Sequence, residues 1–251
     1  MSKGRTDLAV ESLQQEFKYD VDRIINGMNL KKCFIDSKLS KKLNKREGYY
    51  YNLDNIDYYN KAKDIIKITS GIIKDVIETL EDIESILVVG LGNTMITPDS
   101  LGPLAINKIE VNRHLEDEYK YQVSAIAPGV MGQTGMESSD IIKAIVNKFN
   151  PDLVIVIDAL ACNDISRMCK SIQLSTAGIN PGSGVGNHRK ELTKKTLGTN
   201  VLAVGIPTVC DINSLVDIDA NDFFITPNNI DEAMDILSLL LAESINKAII
   251  S

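Results

Sequence analysis

The chain has 251 residues, of which 44% are hydrophobic, and its 27 basic and 34 acidic residues give a formal net charge of -7. This length is enough for one large α/β domain with a substantial core, while the acidic balance argues against general binding to nucleic acids or to acidic membranes. Neither a signal peptide, a long apolar span nor a Cys-x-x-Cys pair occurs, so we expect a protein of the reducing cytoplasm.

The N-terminal quarter is polar up to a long amphipathic segment. Residues 5–11 and the Lys- and Tyr-rich stretch 31–59 predict a solvated arm that leads into short strands. Between residues 61 and 83, isoleucine and other apolar residues recur at helical spacing and form one apolar face. This segment is therefore predicted to be a helix that packs on a sheet.

From residue 86 onward, strand and helix patterns alternate as in βαβ units. The apolar run 153–157 is typical of a central parallel strand that is covered on both faces. The predicted elements in chain order are strand 86–89, helix 103–114, strand 121–127, helix 137–149, strand 153–157, strand 171–175, strand 201–204 and helix 230–248. The order predicts an α/β fold of three layers, α/β/α, with a mostly parallel central sheet.

Two carboxylates follow predicted strands. Asp99 lies in the loop after strand 86–89, and Asp158 follows strand 153–157. Parallel strands deliver their carboxyl ends to one edge of the sheet, so two separate loops can bring these side chains together. Two close carboxylates repel when both are ionised, and the pair can then serve as general base and general acid. Alternatively, each aspartate caps a turn or a helix.

Two glycine-rich loops are candidates for binding the main chain of a substrate through their backbone groups. Neither carries the Lys-Ser/Thr ending of a phosphate-binding loop, and each could instead be a plain connection. The candidate residues are Gly129, Val130, Met131, Gly132, Gln133 and Thr134 in the first loop and Gly182, Ser183, Gly184, Gly186 and Asn187 in the second.

Histidine and cysteine are poor candidates for catalysis in this chain. The two histidines, His114 and His188, each lie next to an arginine and are predicted to be exposed basic residues. Cys162 and Cys169 fall near the end of the Asp158 strand, where we expect inert, semi-buried thiols. The chain therefore offers few components for a His-rich metal centre or a Ser-His triad.

Several motifs together resemble the germination proteases of spore-forming bacteria. They occur in the order known for that family and cover most of the span from residue 86 to residue 209. The matching segments are 88–93, 97–103, 113–115, 128–137, 157–161, 181–187, 196–198 and 205–209.

The resemblance implies an endopeptidase of the spore core that degrades small acid-soluble spore proteins during germination. It also implies synthesis as a zymogen and assembly into a homotetramer. Asp99 and Asp158 match the two aspartates that are held to be catalytic in the family. The candidate catalytic residues from the strand ends and from the resemblance are therefore the same.

The family also processes its own N-terminus after an acidic residue that precedes an apolar one. Residues 5–11 match that segment, which predicts a propeptide at 1–7, a cut between Asp7 and Leu8, and a single α/β peptidase domain at 8–251. The chain departs from the family pattern after residue 211, where a long stretch before the last helix is shortened. This departure concerns the oligomer contacts and the control of the zymogen rather than the aspartate pair.

Some features of the chain are also typical of other functions. The hydrogenase-maturation endopeptidases are similar at the strand ends, but they recognise a metal with two carboxylates and a histidine, and the corresponding loop 179–182 has no histidine. We therefore expect no metal and no cofactor. A catalytically inactive homologue that binds spore proteins remains an alternative, whereas phosphate-ester chemistry would need cationic side chains that the site loops lack.

Overall fold

The computed structural model describes residues 6–13, 17–115, 119–182, 189–214 and 223–250. The strands are β1 Val21–Ile25, β2 Met28–Ile35, β3 Gly48–Asp54, β4 Ser85–Gly90, β5 Gln122–Ile126, β6 Leu153–Cys162, β7 Ser171–Ser175, β8 Asn200–Asp211 and β9 Phe224–Ile225. The helices are α1 Ala9–Ser12, α2 Ser37–Leu43, α3 Ala62–Glu78, α4 Leu101–Ile106, α5 Met131–Thr134, α6 Ser138–Phe149, α7 Lys194–Leu197 and α8 Ile230–Ile249. No helix in these ranges has both the length and the apolar character that a bilayer span requires.

One mixed sheet runs through the molecule in the order β1-β2-β3-β7-β8-β6-β4-β5, and β9 pairs with β8. The neighbours β8, β6, β4 and β5 pair in parallel, as predicted for the apolar strands. The pairs β1–β2, β2–β3, β3–β7 and β7–β8 are antiparallel. The expected α/β fold is thus confirmed, with its parallel part in one half and an antiparallel extension in the other.

Helices cover both faces of the parallel half because its strands are apolar on both faces. Ile155 and Ile157 of β6 point towards α3, α4 and α8, whereas Val154 and Val156 point towards α6. All four side chains are fully buried, which stabilises the fold by about 1.5–3 kcal/mol for each of them. These two apolar layers account for the three-layer arrangement.

Three predicted boundaries need correction. β6 continues beyond residue 157 to Cys162, because β8 pairs with it along that whole length, and β8 itself extends over Asn200–Asp211 rather than 201–204. The helix predicted at 103–114 occupies only Leu101–Ile106. It ends there because the amides that follow donate to carbonyl oxygens three residues earlier, as in turns. The Asn112 side chain then donates to the Tyr121 carbonyl oxygen and accepts from the Val123 amide.

The prediction of a solvated N-terminal arm is wrong for residues 6–13. Leu8 and Ala9 have exposures of 0% and 1%, respectively. Leu8 packs with Leu160, Cys162 and Cys210 at the ends of β6 and β8, and Ala9 packs in a second apolar cluster on β2 and β3. The segment is therefore held on the sheet by the burial of its apolar side chains.

Candidate active site

Asp99 is positioned by the tight loop that follows β4. The amide of Asn93 donates to the carbonyl oxygen of Asp99 at 3.0 Å, and the amide of Asp99 donates to the carbonyl oxygen of Ile96 at 2.8 Å. Gly92 makes this closure possible: its φ is +127°, and a Cβ at that position would lie 1.9 Å from the Asp99 carbonyl oxygen. The loop thus holds Asp99 beyond the carboxyl end of the strand, as predicted.

Asp158 lies inside β6 rather than just beyond its end. Its exposure is 5%, and its Oδ1 accepts a hydrogen bond from the amide of Ala159 at 3.0 Å. In the next strand of the sheet Asp158 pairs with Gly205, and Gly205 in turn pairs with Gln173 of β7. Paired residues of adjacent strands face the same side of a sheet, so Asp158 and Gln173 flank a position without a side chain.

Asp99 and Asp158 line the same cavity, which has a volume of about 240 Å³. Arg189 and Gly182 also line it, and so does Asp7 of the N-terminal segment. The expected meeting of the two aspartates at one edge of the sheet is therefore present in the structure. The cavity additionally contains a third carboxylate and a guanidinium group.

The two aspartates have raised proton affinities for related reasons. Burial raises the pKa of Asp158 well above its usual range; the nearby charges of Asp99 and Asp7 raise it further, and Arg189 opposes them. Burial also raises the pKa of Asp99, while the charge of Arg189 and a backbone hydrogen bond from Asn93 lower it by a smaller amount. A proton on Asp158 relieves the repulsion among these carboxylates, and Arg189 can then stabilise a negative charge on Asp99.

The predicted cleavage segment lies against this site, with Leu8 in an extended conformation just before the short helix α1. The amide of Asp7 donates to the carbonyl oxygen of Ala161 at 2.9 Å, and the amide of Ala161 donates to the Asp7 Oδ2 at 2.9 Å. Gln173 contacts the segment on both sides of the Asp7–Leu8 bond: its Nε2 donates to the Asp7 carbonyl oxygen at 3.3 Å, and its Oε1 accepts from the Ala9 amide at 2.7 Å.

Charged groups hold the two ends of this segment. The half-buried Lys45 donates from Nζ to the carbonyl oxygen of Thr6 at 2.9 Å. Burial lowers the pKa of Lys45, while the charges of Asp7 and Glu11 oppose that shift. At the other end, the carboxylate of Glu11 accepts from the amides of Asn163 and Asp164 at 2.8 and 3.0 Å. These contacts fix the register of the segment on the sheet.

The loop at 129–134 contacts the aspartate site only indirectly. The six candidates Gly129, Val130, Met131, Gly132, Gln133 and Thr134 lie outside the lining of the aspartate cavity, within the part of the chain that the structure describes. Gln133 reaches towards it indirectly, because its Nε2 donates to the Asn93 Oδ1 at 2.7 Å and Asn93 closes the Asp99 loop. The loop is thus connected to the site through one hydrogen bond.

Of the second loop, Gly182 lines the aspartate cavity. The other candidates there, Ser183, Gly184, Gly186 and Asn187, lie outside the described residues, as does His188. His114 is exposed, as predicted, and Cys162 and Cys169 are buried free thiols. Across the described ranges, no three histidine, cysteine or acidic side chains are grouped in a way that would suit a metal ion.

Sequence reasoning missed Gln173 and Lys45, and the expectation that the site loops lack cationic side chains is wrong, because Arg189 lines the aspartate cavity. For Gln173 a signal exists: in β7 the apolar Ile172 and Leu174 alternate with Ser171, Gln173 and Ser175, which indicates a polar face on an otherwise buried strand. For Lys45 the sequence offers no such signal, because lysine is abundant in that region and its contact is to a backbone carbonyl far away in the chain.

Comparisons with known proteins agree with the motifs. A family model described as germination protease matches residues 6–226. A germination protease of Clostridium perfringens is 33% identical over 312 aligned positions, which cover 99% of this chain and 96% of that protein. A second one, from a Geobacillus species, is 41% identical over 256 positions, covering 90% of this chain and 68% of that protein. The first alignment has more positions than this chain has residues, so part of that relative has no counterpart here.

One solved structure is also similar. The [NiFe] hydrogenase maturation protease HycI from Thermococcus kodakarensis superposes with a TM-score of 0.40 at 18% identity, covering 70% of this chain and all but 1% of that one.

Proposed function

This chain belongs to the germination protease family, and we propose that it is an endopeptidase that cleaves small acid-soluble spore proteins during germination, inside the spore. The observation that carries the proposal is the shared cavity of Asp99 and Asp158, with the Asp7–Leu8 bond held beside it. The family membership supports the reaction class, and the paired carboxylates support water activation by an aspartate dyad.

In the proposed reaction, Asp99 is the base and Asp158 is the acid. Asp99 takes a proton from a water molecule, whose oxygen forms a bond to the carbonyl carbon of the substrate. The C–N bond then breaks, and the leaving amine receives the proton that Asp158 carries. The deeper burial of Asp158 favours its protonated form, and Arg189 favours the charged form of Asp99. The pair titrates as a unit, so this assignment describes its reactive protonation state.

We further propose that the chain processes itself. The N-terminal segment supports this, because Asp7 lines the cavity of its own chain and the bond after it is the predicted scissile bond. Residues 1–7 would then be a propeptide, and 8–251 the peptidase domain. A homotetramer is proposed from the resemblance to the family, and its mass in solution tests that part separately.

The test uses a small acid-soluble spore protein as substrate and mass spectrometry of the products. Asp99→Asn and Asp158→Asn should each abolish cleavage while leaving the fold intact, because either change removes one of the two proton-transfer groups. Asp75→Asn serves as the control, since Asp75 is an exposed carboxylate on α3. Full activity in either site variant would contradict the dyad.

A chelator arm in the same experiment separates the dyad from a metal-assisted reaction. Loss of activity with chelator and its recovery with a divalent ion would favour the metal-assisted endopeptidase. Binding of the spore protein without any product would favour an inactive binding homologue.

A further inference from the structure

We propose that Gln173 is the oxyanion donor of this endopeptidase, a role that rests on the proposed function. Its side-chain amide spans the scissile bond: Nε2 donates to the carbonyl oxygen of Asp7 at 3.3 Å, and Oε1 accepts from the amide of Ala9 at 2.7 Å. When water adds to the Asp7 carbonyl carbon, the electron pair of the C=O bond moves to that oxygen. A donor already aimed at the oxygen stabilises the charge that develops there.

The sheet places the proposed donor and acid in one row on the same face. Asp158, Gly205 and Gln173 form one lateral row across β6, β8 and β7. Adjacent strands are about 4.8 Å apart, so the Cα atoms of Asp158 and Gln173 are separated by roughly 10 Å. Gly205 itself places no side chain between them, and the Leu160 side chain packs against it there. Asp7 connects the two groups, because it lines the cavity of the aspartates while its carbonyl oxygen accepts from Gln173 Nε2.

The orientation of the Gln173 amide follows from its partners. The Ala9 amide is a donor only, so the amide atom that faces it must be the oxygen Oε1. The nitrogen Nε2 is then directed at the Asp7 carbonyl oxygen, which can only accept. The side chain has an exposure of 9%, and such burial makes a well-directed hydrogen bond stronger than in water.

The same contacts explain why glutamine suits this position. A shorter asparagine could not reach both the Asp7 carbonyl and the Ala9 amide from β7. A glutamate would place an acceptor against the oxyanion and would add a carboxylate beside Asp7. Lys45 differs in kind, because it contacts the carbonyl of Thr6, which does not react.

The experiment follows self-cleavage of the full chain by intact mass in Gln173→Met, Gln173→Glu and the control Ser175→Ala. Ser175 lies on the same strand, faces the same side as Gln173 and is also buried, but its Oγ accepts from the amide of Ala177. We expect Gln173→Met to lower the rate constant by about 10²–10³ fold, the loss typical of a missing oxyanion donor, and Ser175→Ala to cleave at the wild-type rate.

Hydrogen exchange separates an oxyanion donor from a residue that only holds the segment. The Asp7 amide donates to Ala161, so its protection reports docking independently of Gln173. The proposal requires that this amide stay protected in Gln173→Met while cleavage slows. Gln173→Glu adds a pH signature: relative to wild type, its rate should recover as the pH falls, because a protonated glutamate can donate again.

Three results would overturn the assignment. The first is a folded Gln173→Met variant that cleaves within about threefold of the wild-type rate, and the second is loss of hydrogen-exchange protection at the Asp7 amide in that variant. The third is a cleavage rate of Gln173→Glu, relative to wild type, that does not change with pH. Failure of the proposed function itself looks different. In that case the wild-type chain does not cleave, or Asp158→Asn cleaves as fast as wild type.

Discussion

Asp158 and Gln173 face the same side of the sheet with Gly205 alone between them in their row, although β6, β8 and β7 come from separate parts of the chain. The parallel pair β6–β8 positions Asp158, the proposed acid, and the antiparallel pair β8–β7 positions the amide of Gln173. The candidate site thus lies at β8, where the parallel half of the sheet meets the antiparallel half. Its geometry depends on the absence of a side chain at Gly205.

Gly205→Ala should therefore impair both stability and cleavage. A Cβ at this position would lie 2.7 Å from the Leu160 side chain and 2.9 Å from the Asp158 carbonyl oxygen. We expect a loss of about 1–3 kcal/mol in the free energy of unfolding, measured by urea denaturation, and slower self-cleavage. Gly71→Ala is the matched control: apart from its chain neighbours and the backbone of α3 itself, no described atom lies within 4 Å of its Cβ position, so helix propensity should raise stability by about 0.5–1 kcal/mol. Equal effects of the two substitutions would refute the steric argument.

The raised pKa of Asp158 predicts how stability depends on pH. The folded state binds this proton more tightly than the unfolded state does, so the stabilisation is complete below the ordinary pKa of 3.8 and is lost as the pH rises through the raised value. Asp158→Asn keeps a neutral side chain and the acceptor for Ala159. The variant should be more stable than wild type at neutral pH, and the difference should vanish in acid. A pH-independent difference in urea denaturation would contradict the shift.

Leu8 should determine whether the cleavage segment docks. Its side chain is fully buried with Leu160, Cys162 and Cys210. Leu8→Ala should cost about 2–5 kcal/mol of packing free energy at this site, which exposes the Asp7 amide to exchange and slows self-cleavage. Leu8→Met conserves the volume and should cost less than about 1.5 kcal/mol. If both variants dock and cleave as wild type does, the apolar pocket is not what holds the segment.

Because Asp7 lies in the cavity of its own chain, self-cleavage should be intramolecular. The rate constant should then be independent of protein concentration. In a mixture, wild-type chains should lose their N-termini while isotope-labelled Asp158→Asn chains stay intact. Cleavage of the labelled chains at the wild-type rate would show that one molecule processes another.

The sequence predicts the parallel half of the sheet far better than the antiparallel half. Strand 153–157 is a continuous Val/Ile run, and such runs indicate buried parallel strands regardless of their partners. β3, in contrast, pairs with β7, which lies more than a hundred residues further along the chain, and its Tyr-rich pattern does not specify that partner. The bounds of β7 agree with the predicted strand 171–175, but its position between β3 and β8 follows from tertiary pairing, which no local pattern encodes.

The same contrast applies to the site. Asp99 and Asp158 could be predicted because the carboxyl ends of parallel strands meet at one edge. The contacts of Gln173 and Lys45 could not, because both depend on the docking of residues 6–9 across the antiparallel half. A polar N-terminal segment indicates exposure unless its few apolar residues find a pocket, and the pocket for Leu8 forms only when β6 and β8 pair beyond Leu160.

The central claim is that Asp99 and Asp158 cleave the Asp7–Leu8 bond of their own chain. Intact-mass analysis of the purified chain over time tests it most directly, with Asp158→Asn treated in parallel. We expect wild type to lose residues 1–7 and begin at Leu8, while Asp158→Asn keeps its full mass. A wild-type chain that keeps residues 1–7 yet cleaves spore proteins at full rate, or an Asp158→Asn chain that is cut after Asp7 as fast as wild type, would contradict it.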